Sequence, residues 1–369
     1  MRIPFVDLKA QYESIKAEID SAIRSVIDKT AFVRGPFVEE FERAFSEKYG
    51  VKHCIGVANG TDAIYITLKA LNIGPGDEVI TVANSWISTS ETITQTGAKP
   101  VFVDVEPDYY HIDPKLIESK ITPRTKAIIP VHLYGQSAAI EEIKSICQKR
   151  GLFLVEDCAQ SHFATLNDQF VGTFGIAGTF SFYPGKNLGA YGDGGAIITN
   201  DDHLAAFMRS FANHGSLRKH EHDIEGINSR LDGLQAAILN AKLKYIDKWN
   251  GARLRNGLAY NRILSEIPQI QIPKIRKKAS HIFHLYVIKT KKRDELADHL
   301  KKDGVETGIH YPTALPFLEA YKYLGHVPAD FPVAYQNQHE ILSLPMYPEL
   351  SEEQIHYVKE SIQTFFYKG

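Results

Sequence analysis

Residues 126–162 read KAIIPVHLYGQSAAIEEIKSICQKRGLFLVEDCAQSH, and the spacing of their apolar residues changes twice. KAIIPVHL and LFLVED are short, nearly continuous apolar runs, as in strands buried on both faces. Between them AIEEIKSICQKR has the three-and-four spacing of a helix. Strand, helix, strand in this order predicts parallel strands joined by a crossover.

Working outward, the same alternation holds from about residue 50 to 200. EVITV, PVFVDV, GTFSF and GAIIT read as further strands, and TDAIYITLKAL as a further helix. Upstream, Leu8, Tyr12, Ile15, Ile19, Ile23, Val26 and Ile27 trace one face of a long amphipathic helix. Downstream, SRLDGLQAAILNAKLKYIDKW reads as a long helix, with RLRNGLAYNRIL as its continuation or neighbour. HIFHLYVIKT and VETGIHYP then read as strands and KRDELADHLKKDG as a helix. The last helix, in SEEQIHYVKESIQTFF, is opened by a capping box of Ser351 and Gln354. These elements predict an α/β protein with a mostly parallel central sheet flanked by helices. A large domain over 1–250 would be followed by a small α/β domain over 251–369.

The chain has 369 residues, 44% of them hydrophobic and 23% charged, enough to build a large core. Its 44 acidic and 42 basic residues are interspersed and sum to −2, so no broad positive field is available for nucleic acid or an anionic membrane. There is no helix-turn-helix signal either. Cys54, Cys147 and Cys158 stand far apart without a CxxC pair, which fits buried thiols in a reducing compartment. MRIPFVDLKAQYESI lacks a signal-peptide run and no stretch approaches a membrane span, so a cytoplasmic protein is expected.

In an open parallel sheet, chemistry collects where strands end and loops meet helix starts. Asn59, Gly60 and Thr61 precede a helix and suit a phosphate, or merely cap it. In FLVEDCAQSH a buried strand runs out into Glu156 and Asp157, followed by Gln160. A carboxylate there needs a cation or several donors, in a salt bridge or in a site. Trp86, after EVITV, is placed to stack on a flat ring or to fill the core. In SFYPGKNLGAYGDGG, residues 181–195, Ser181 offers a hydroxyl and Lys186 lies among glycines that permit tight turns. A lysine there can lose its proton and attack a carbonyl, or hold a phosphate as a point charge.

One cofactor uses all of these groups. Pyridoxal 5′-phosphate (PLP) needs a phosphate cup, an aromatic cover, a carboxylate for its pyridine nitrogen and a lysine for its aldehyde. No metal site is indicated.

NGTDAI, GDEVI, VEDCAQSH, SFYPGKNLGAYGDGGAI and NSRLDGLQAAIL make the chain resemble the DegT/StrS-like sugar aminotransferases, PLP enzymes with the aspartate aminotransferase (type I) fold. The resemblance runs from IPFVDL to the final helix. It implies that Lys186 forms the Schiff base and shuttles a proton, and that Asp157 pairs with the ring nitrogen. Gln160 would contact the ring oxygen, Gly60, Thr61 and Ser181 would hold the phosphate, and Trp86 would cover the ring. Asn228 resembles a residue reaching the phosphate of the neighbouring subunit, implying a homodimer, although it could instead cap the helix beginning near Asp232. Tyr183, His214, His310 and Tyr311 resemble substrate-side residues, the last two on a segment expected to project toward the partner subunit.

The implied substrates are L-glutamate and a nucleotide-linked keto sugar. The Tyr-Pro-Gly run before Lys186 resembles members acting on 3-keto sugars, so a 3-keto, 6-deoxyhexose carried by dTDP is favoured. The alternatives are a 4-keto sugar and a UDP-linked 3-keto uronic acid. Sugar dehydratases of the family carry histidine in place of the lysine, so Lys186 argues for transamination, and a cofactor-free regulator is the non-enzymatic alternative.

Overall fold

The computed structural model describes residues 1–218 and 220–367. Seven strands form the main sheet: β1 (His53–Val57), β2 (Glu78–Val82), β3 (Lys99–Val103), β4 (Thr125–Ile129), β5 (Phe153–Asp157), β8 (Ala177–Ser181) and β9 (Gly195–Thr199). A short hairpin, β6 (Thr165–Leu166) and β7 (Gln169–Phe170), interrupts the series. Across the sheet the order is β1-β9-β8-β5-β4-β2-β3. From β3 to β8 every neighbouring pair is parallel. Strand β9 runs antiparallel to both β8 and β1, so β1 points the same way as the rest.

Both faces of this sheet are covered, which explains the unbroken apolar runs. Alternate residues of a strand face opposite ways. Ile128 of β4 accordingly packs in a cluster with Ile80, Phe102 and Tyr134, whereas its neighbours Ala127 and Ile129 join Val79, Ile64 and Leu68 on the other face. Along β9, Ala196 and Ile198 pack with Phe41, Phe45 and Phe180, and Ile197 with Ile66 and Met208.

A second sheet pairs β10 (Tyr286–Lys289) with β11 (Ile341–Leu344) antiparallel. The helices Ile246–Leu264, Arg293–Lys302 and Glu352–Tyr367 enclose it with a core of its own that includes Tyr260, Tyr286, Leu300, Leu342 and Ile362. The expected strand VETGIHYP is not one: its backbone pairs with β11 at a single described bridge, between Gly308 and Ser343, and the second strand is ILSL. The expected N-terminal helix is two, Leu8–Ser14 and Lys16–Asp28, broken at Ile15, whose φ is −134°. The capping box is present, Ser351 N–H donating to Gln354 Oε1 (2.9 Å) and Gln354 N–H to Ser351 Oγ (3.2 Å). The three cysteines are free and buried. Among the described residues no helix is long and apolar enough to cross a membrane.

Candidate active site

Because β1, β2, β5 and β8 are mutually parallel, their ends and the segments that follow emerge at one rim of the sheet. Asn59–Thr61 and Trp86 follow β1 and β2, and Asp157 and Ser181 end β5 and β8.

The helix Gly60–Ala70 starts at this rim. Asn59 caps it, its Oδ1 accepting from Asp62 N–H (2.8 Å), which leaves the amides of Gly60 and Thr61 aimed outward without intrahelical partners. A side chain at position 60 would put its Cβ 2.6 Å from Ser181 Cβ, so only glycine lets the helix start approach Ser181 this closely. The hydroxyls of Thr61 and Ser88 lie 2.7 Å apart. Together the free amides, the positive helix end and the hydroxyls of Thr61, Ser88 and Ser181 make a cup suited to a phosphate.

Strand β5 supplies two carboxylates that serve different sides. Glu156 is fully buried away from the rim. Its Oε1 accepts from the amides of Phe174 (2.7 Å) and Gly175 (2.8 Å), and its Oε2 from Gly172 N–H (2.7 Å). His132 lies 3.0 Å from Oε2 and accepts Ala138 N–H at Nδ1 (3.0 Å), so its Nε2 is the donor to Glu156. Cys158 is near this pair, but burial keeps its thiol protonated and the lone pairs of Glu156 are already used; the group is a lock on the 172–175 turn.

Asp157 faces the rim. Thr89 Oγ1 donates to its Oδ2 (2.8 Å) and Ala159 N–H to its Oδ1 (3.1 Å). Burial raises its carboxyl above the usual range, while these two donors and the positive charge of Lys186 oppose the rise. A cation held against it would complete the neutralisation.

Lys186 sits on the loop between β8 and β9. A turn from Tyr183 O to Lys186 N–H (2.8 Å) fixes its backbone, and the side chain is half-buried. Burial pushes its amine down from 10.5 to about 8, and Asp157 pulls the other way. Among the described residues the amine has no hydrogen-bond or ion-pair partner, so it is available as a nucleophile near neutral pH.

The remaining expected residues divide into two groups. Gln160 is at the site: its Oε1 accepts from Tyr134 N–H (2.7 Å) and its Nε2 donates to Tyr311 OH (3.0 Å). The Tyr311 ring lies 5.6 Å from that of Trp86, which is 59% exposed and therefore not core. His310 stacks on Phe5 and pairs with Ser343 Oγ through Nδ1 (2.9 Å); burial and the Lys186 charge push it down to about 4, so it is neutral. These contacts hold the GIHYP segment against Gln160 and Trp86 of its own chain. Tyr183 is exposed at the mouth of the loop.

His214 and Asn228 lie in an exposed segment, where Asn213 bridges Asn228 and His214 N–H bonds Ile227 O (2.9 Å). No described contact joins either to Lys186 or Asp157. Asn228 does not cap the following helix; that position belongs to Asp232. Its neighbour Ser229 accepts from Ala58 N–H (3.1 Å), which ties the segment to the rim beside the cup. Ser88, Thr89, Tyr134 and Asn187 are site residues that sequence reading did not single out. For Ser88 and Thr89 the signal in the sequence is the hydroxyl-rich run ANSWISTSET around Trp86.

An amine with a near-neutral pKa, a buried carboxylate with unused acceptor capacity and a glycine-dependent anion cup on one rim fit the aldehyde, ring nitrogen and phosphate of PLP. Fold and site together define an aminotransferase of the aspartate aminotransferase (type I) fold. The chain belongs to the DegT/DnrJ/EryC1/StrS aminotransferase family, whose profile matches residues 13–363. It is 43% identical, over 99% of its length and 100% of the relative's, to dTDP-3-amino-3,6-dideoxy-alpha-D-galactopyranose transaminase of Aneurinibacillus thermoaerophilus. It is 42% identical to UDP-2-acetamido-2-deoxy-3-oxo-D-glucuronate aminotransferase of Pseudomonas aeruginosa, covering 96% of this chain and 97% of the other. The crystal structure of Streptomyces venezuelae DesV in complex with a ketimine intermediate superposes with a TM-score of 0.97 at 40% identity, covering 99% of this chain and 98% of that one.

Proposed function

We propose that this protein is a PLP-dependent aminotransferase that moves the amino group of L-glutamate onto the keto carbon of a dTDP-linked 3-keto-6-deoxyhexose, as a cytoplasmic homodimer. The observation that carries the reading is the half-buried, unpartnered amine of Lys186 beside the buried carboxylate of Asp157. When bound, PLP supplies an aldehyde that takes up the amino group and a cationic ring that draws electrons from the reacting carbon.

The chain's own residues divide the remaining work. Lys186, with its amine near neutrality, is matched both to attack and to carrying a proton to and from carbon. Asp157, oriented by Thr89 and Ala159, would keep the ring nitrogen protonated. Gly60, Thr61, Ser181 and Ser88 would hold the phosphate, Trp86 would cover the ring, and Gln160 would contact the ring oxygen while holding Tyr311. Tyr183, His310 and Tyr311 would face the sugar nucleotide, with His214 at its outer end.

The transaminases named above support the sugar-nucleotide substrate, one for dTDP and one for UDP carriers. The latter keeps a UDP-linked 3-keto uronic acid as the second reading. Dimerisation is supported by the exposure of Asn228 beside the cup and by the apolar Ile27, Phe32 and Val33, each about half exposed. We also propose residues 1–250 as the cofactor-binding unit and 251–369 as the smaller one, on the strength of the separate core around β10 and β11; the helix Ile246–Leu264 runs across that boundary.

The test starts from the PLP-loaded protein. Adding glutamate should release 2-oxoglutarate and change the visible spectrum, and Lys186→Ala should abolish the bond that borohydride traps. Keto-sugar nucleotides are then screened, with the carbon bearing the new amine read by NMR. Survival of the trapped bond in Lys186→Ala would refute the reading.

A further inference from the structure

Asn187, which follows Lys186 in the chain, shares one connected set of hydrogen bonds with the side chains of Asn250 and His284. Asn187 is buried, and its Nδ2 donates to Asn250 Oδ1 (2.8 Å) and Ile282 O (3.3 Å). Asn250 Nδ2 in turn donates to His162 O (3.0 Å). With its amide nitrogen facing two oxygens, Asn187 must present Oδ1 to His284, whose Nδ1 lies 3.1 Å away. His284 Nδ1 therefore carries the proton, and Nε2 is left with a lone pair.

We propose that Asn187 and His284 are the positioning pair for Lys186, plugging the reactive loop into the helix Ile246–Leu264 and the 281–285 segment so that the amine is held in its half-buried location. The inference rests on the role proposed for Lys186. On the loop's upstream side the turn to Tyr183 O restrains the backbone, and on its downstream side the buried Lys242 ammonium grips Gly189 O (2.7 Å). Between these two restraints Asn187 supplies the only side-chain tether described for the loop residue next to the amine. Burial holds His284 well below the usual imidazole range, and the charged and titratable groups that act on it, Lys186, Arg253, His310 and His162, push the same way with no carboxylate among them, so the imidazole stays neutral and serves as a donor from one nitrogen only. The tether is thus uncharged and adds no ion pair to compete with Asp157 for the amine.

The experiment separates the two nitrogens of the imidazole and does not need the cofactor. In full-length protein freed of cofactor, the pH midpoint for modification of the Lys186 amine by a small amine-directed reagent is read by mass spectrometry, with folding checked by circular dichroism. The wild-type midpoint should lie near 8. Asn187→Ala and His284→Ala should release the loop to water and raise the midpoint by about one unit or more, a tenfold loss of free amine at neutral pH. His284→Asn places an amide donor where Nδ1–H stood and should restore the wild-type midpoint, whereas His284→Gln, which mimics Nε2, should not. Wild-type midpoints in both alanine variants would overturn the proposal, as would rescue by glutamine and not by asparagine. If the wild-type protein failed to form a borohydride-stable adduct with PLP, the cofactor reading would fail while the midpoint series still judged the tether.

Discussion

At the scale of single residues, the distinction that matters is between Asp157 and Glu156, adjacent on β5 and sent to opposite faces by the alternation of the strand. Glu156 is saturated by three amides and His132, so Glu156→Gln, which turns one acceptor into a donor facing N–H groups, should cost about 3 kcal/mol in urea unfolding. Lys186 gives a pH prediction with a definite sign. The free amine attacks, and burial lowers its pKa, so the rate at which cofactor-free protein takes up PLP should rise with pH and level off above about 8. A rate still climbing toward pH 10, followed by the visible absorbance of the adduct, would contradict the described burial. Gly60→Ala would push a methyl group against Ser181 Cβ, and should weaken PLP affinity at least about tenfold, some 1.4 kcal/mol, in equilibrium dialysis while leaving the fold intact. Lys186 and Asp157 were legible in the sequence through their company: a carboxylate ending a buried strand and a lysine among glycines each have a plainer reading, but together with a helix-start anion cup and an aromatic they fit one cofactor. Thr89 and Asn187 were not, because a hydroxyl or an amide acquires its role only from what folds against it.

At the scale of elements, the strands of the main sheet were readable because burial on both faces leaves little but apolar residues in them. Helix ends were harder. The N-terminal stripe carried through Ile15 in the sequence, yet the backbone turns there, and Leu8 and Ile27 at its ends remain exposed. The misread strand VETGIHYP is instructive for a different reason: it has strand-like composition, but His310 and Tyr311 are drawn off to Phe5, the Ser343 hydroxyl and Gln160, leaving a single described backbone bridge to β11. Two other irregular segments, around 283–284 and at Met346, are joined by Arg253 on the helix Ile246–Leu264. Its Nη1 donates to Phe283 O (3.1 Å), His284 O (3.3 Å) and Met346 O (2.9 Å). Arg253→Met keeps the bulk but orphans these carbonyls, and should lower stability by about 2–4 kcal/mol, seen as a fall in melting temperature.

At the scale of the whole molecule, the proposed dimer makes a prediction that no single chain can satisfy. If Asn228 serves the partner's phosphate cup, Lys186→Ala and Asn228→Ala proteins, each weakened alone, should complement when dissociated and mixed. Half of the dimers formed would be mixed and each would hold one intact site, so activity should recover to about a quarter of wild type. Recovery to no more than the average of the two variants would place Asn228 in its own chain's site. Strand β9, running against its neighbours, has a further consequence. The stretch bearing Lys186 leaves β8 and returns along β9 with Ser181 and Gly195 paired side by side, making a short lariat whose knot is the sheet itself. Its reach is bounded by that knot, and closing so small a ring is entropically cheap. Both ends of the stretch that carries the amine are therefore anchored in the same pair of strands, so the lysine takes its place from the sheet.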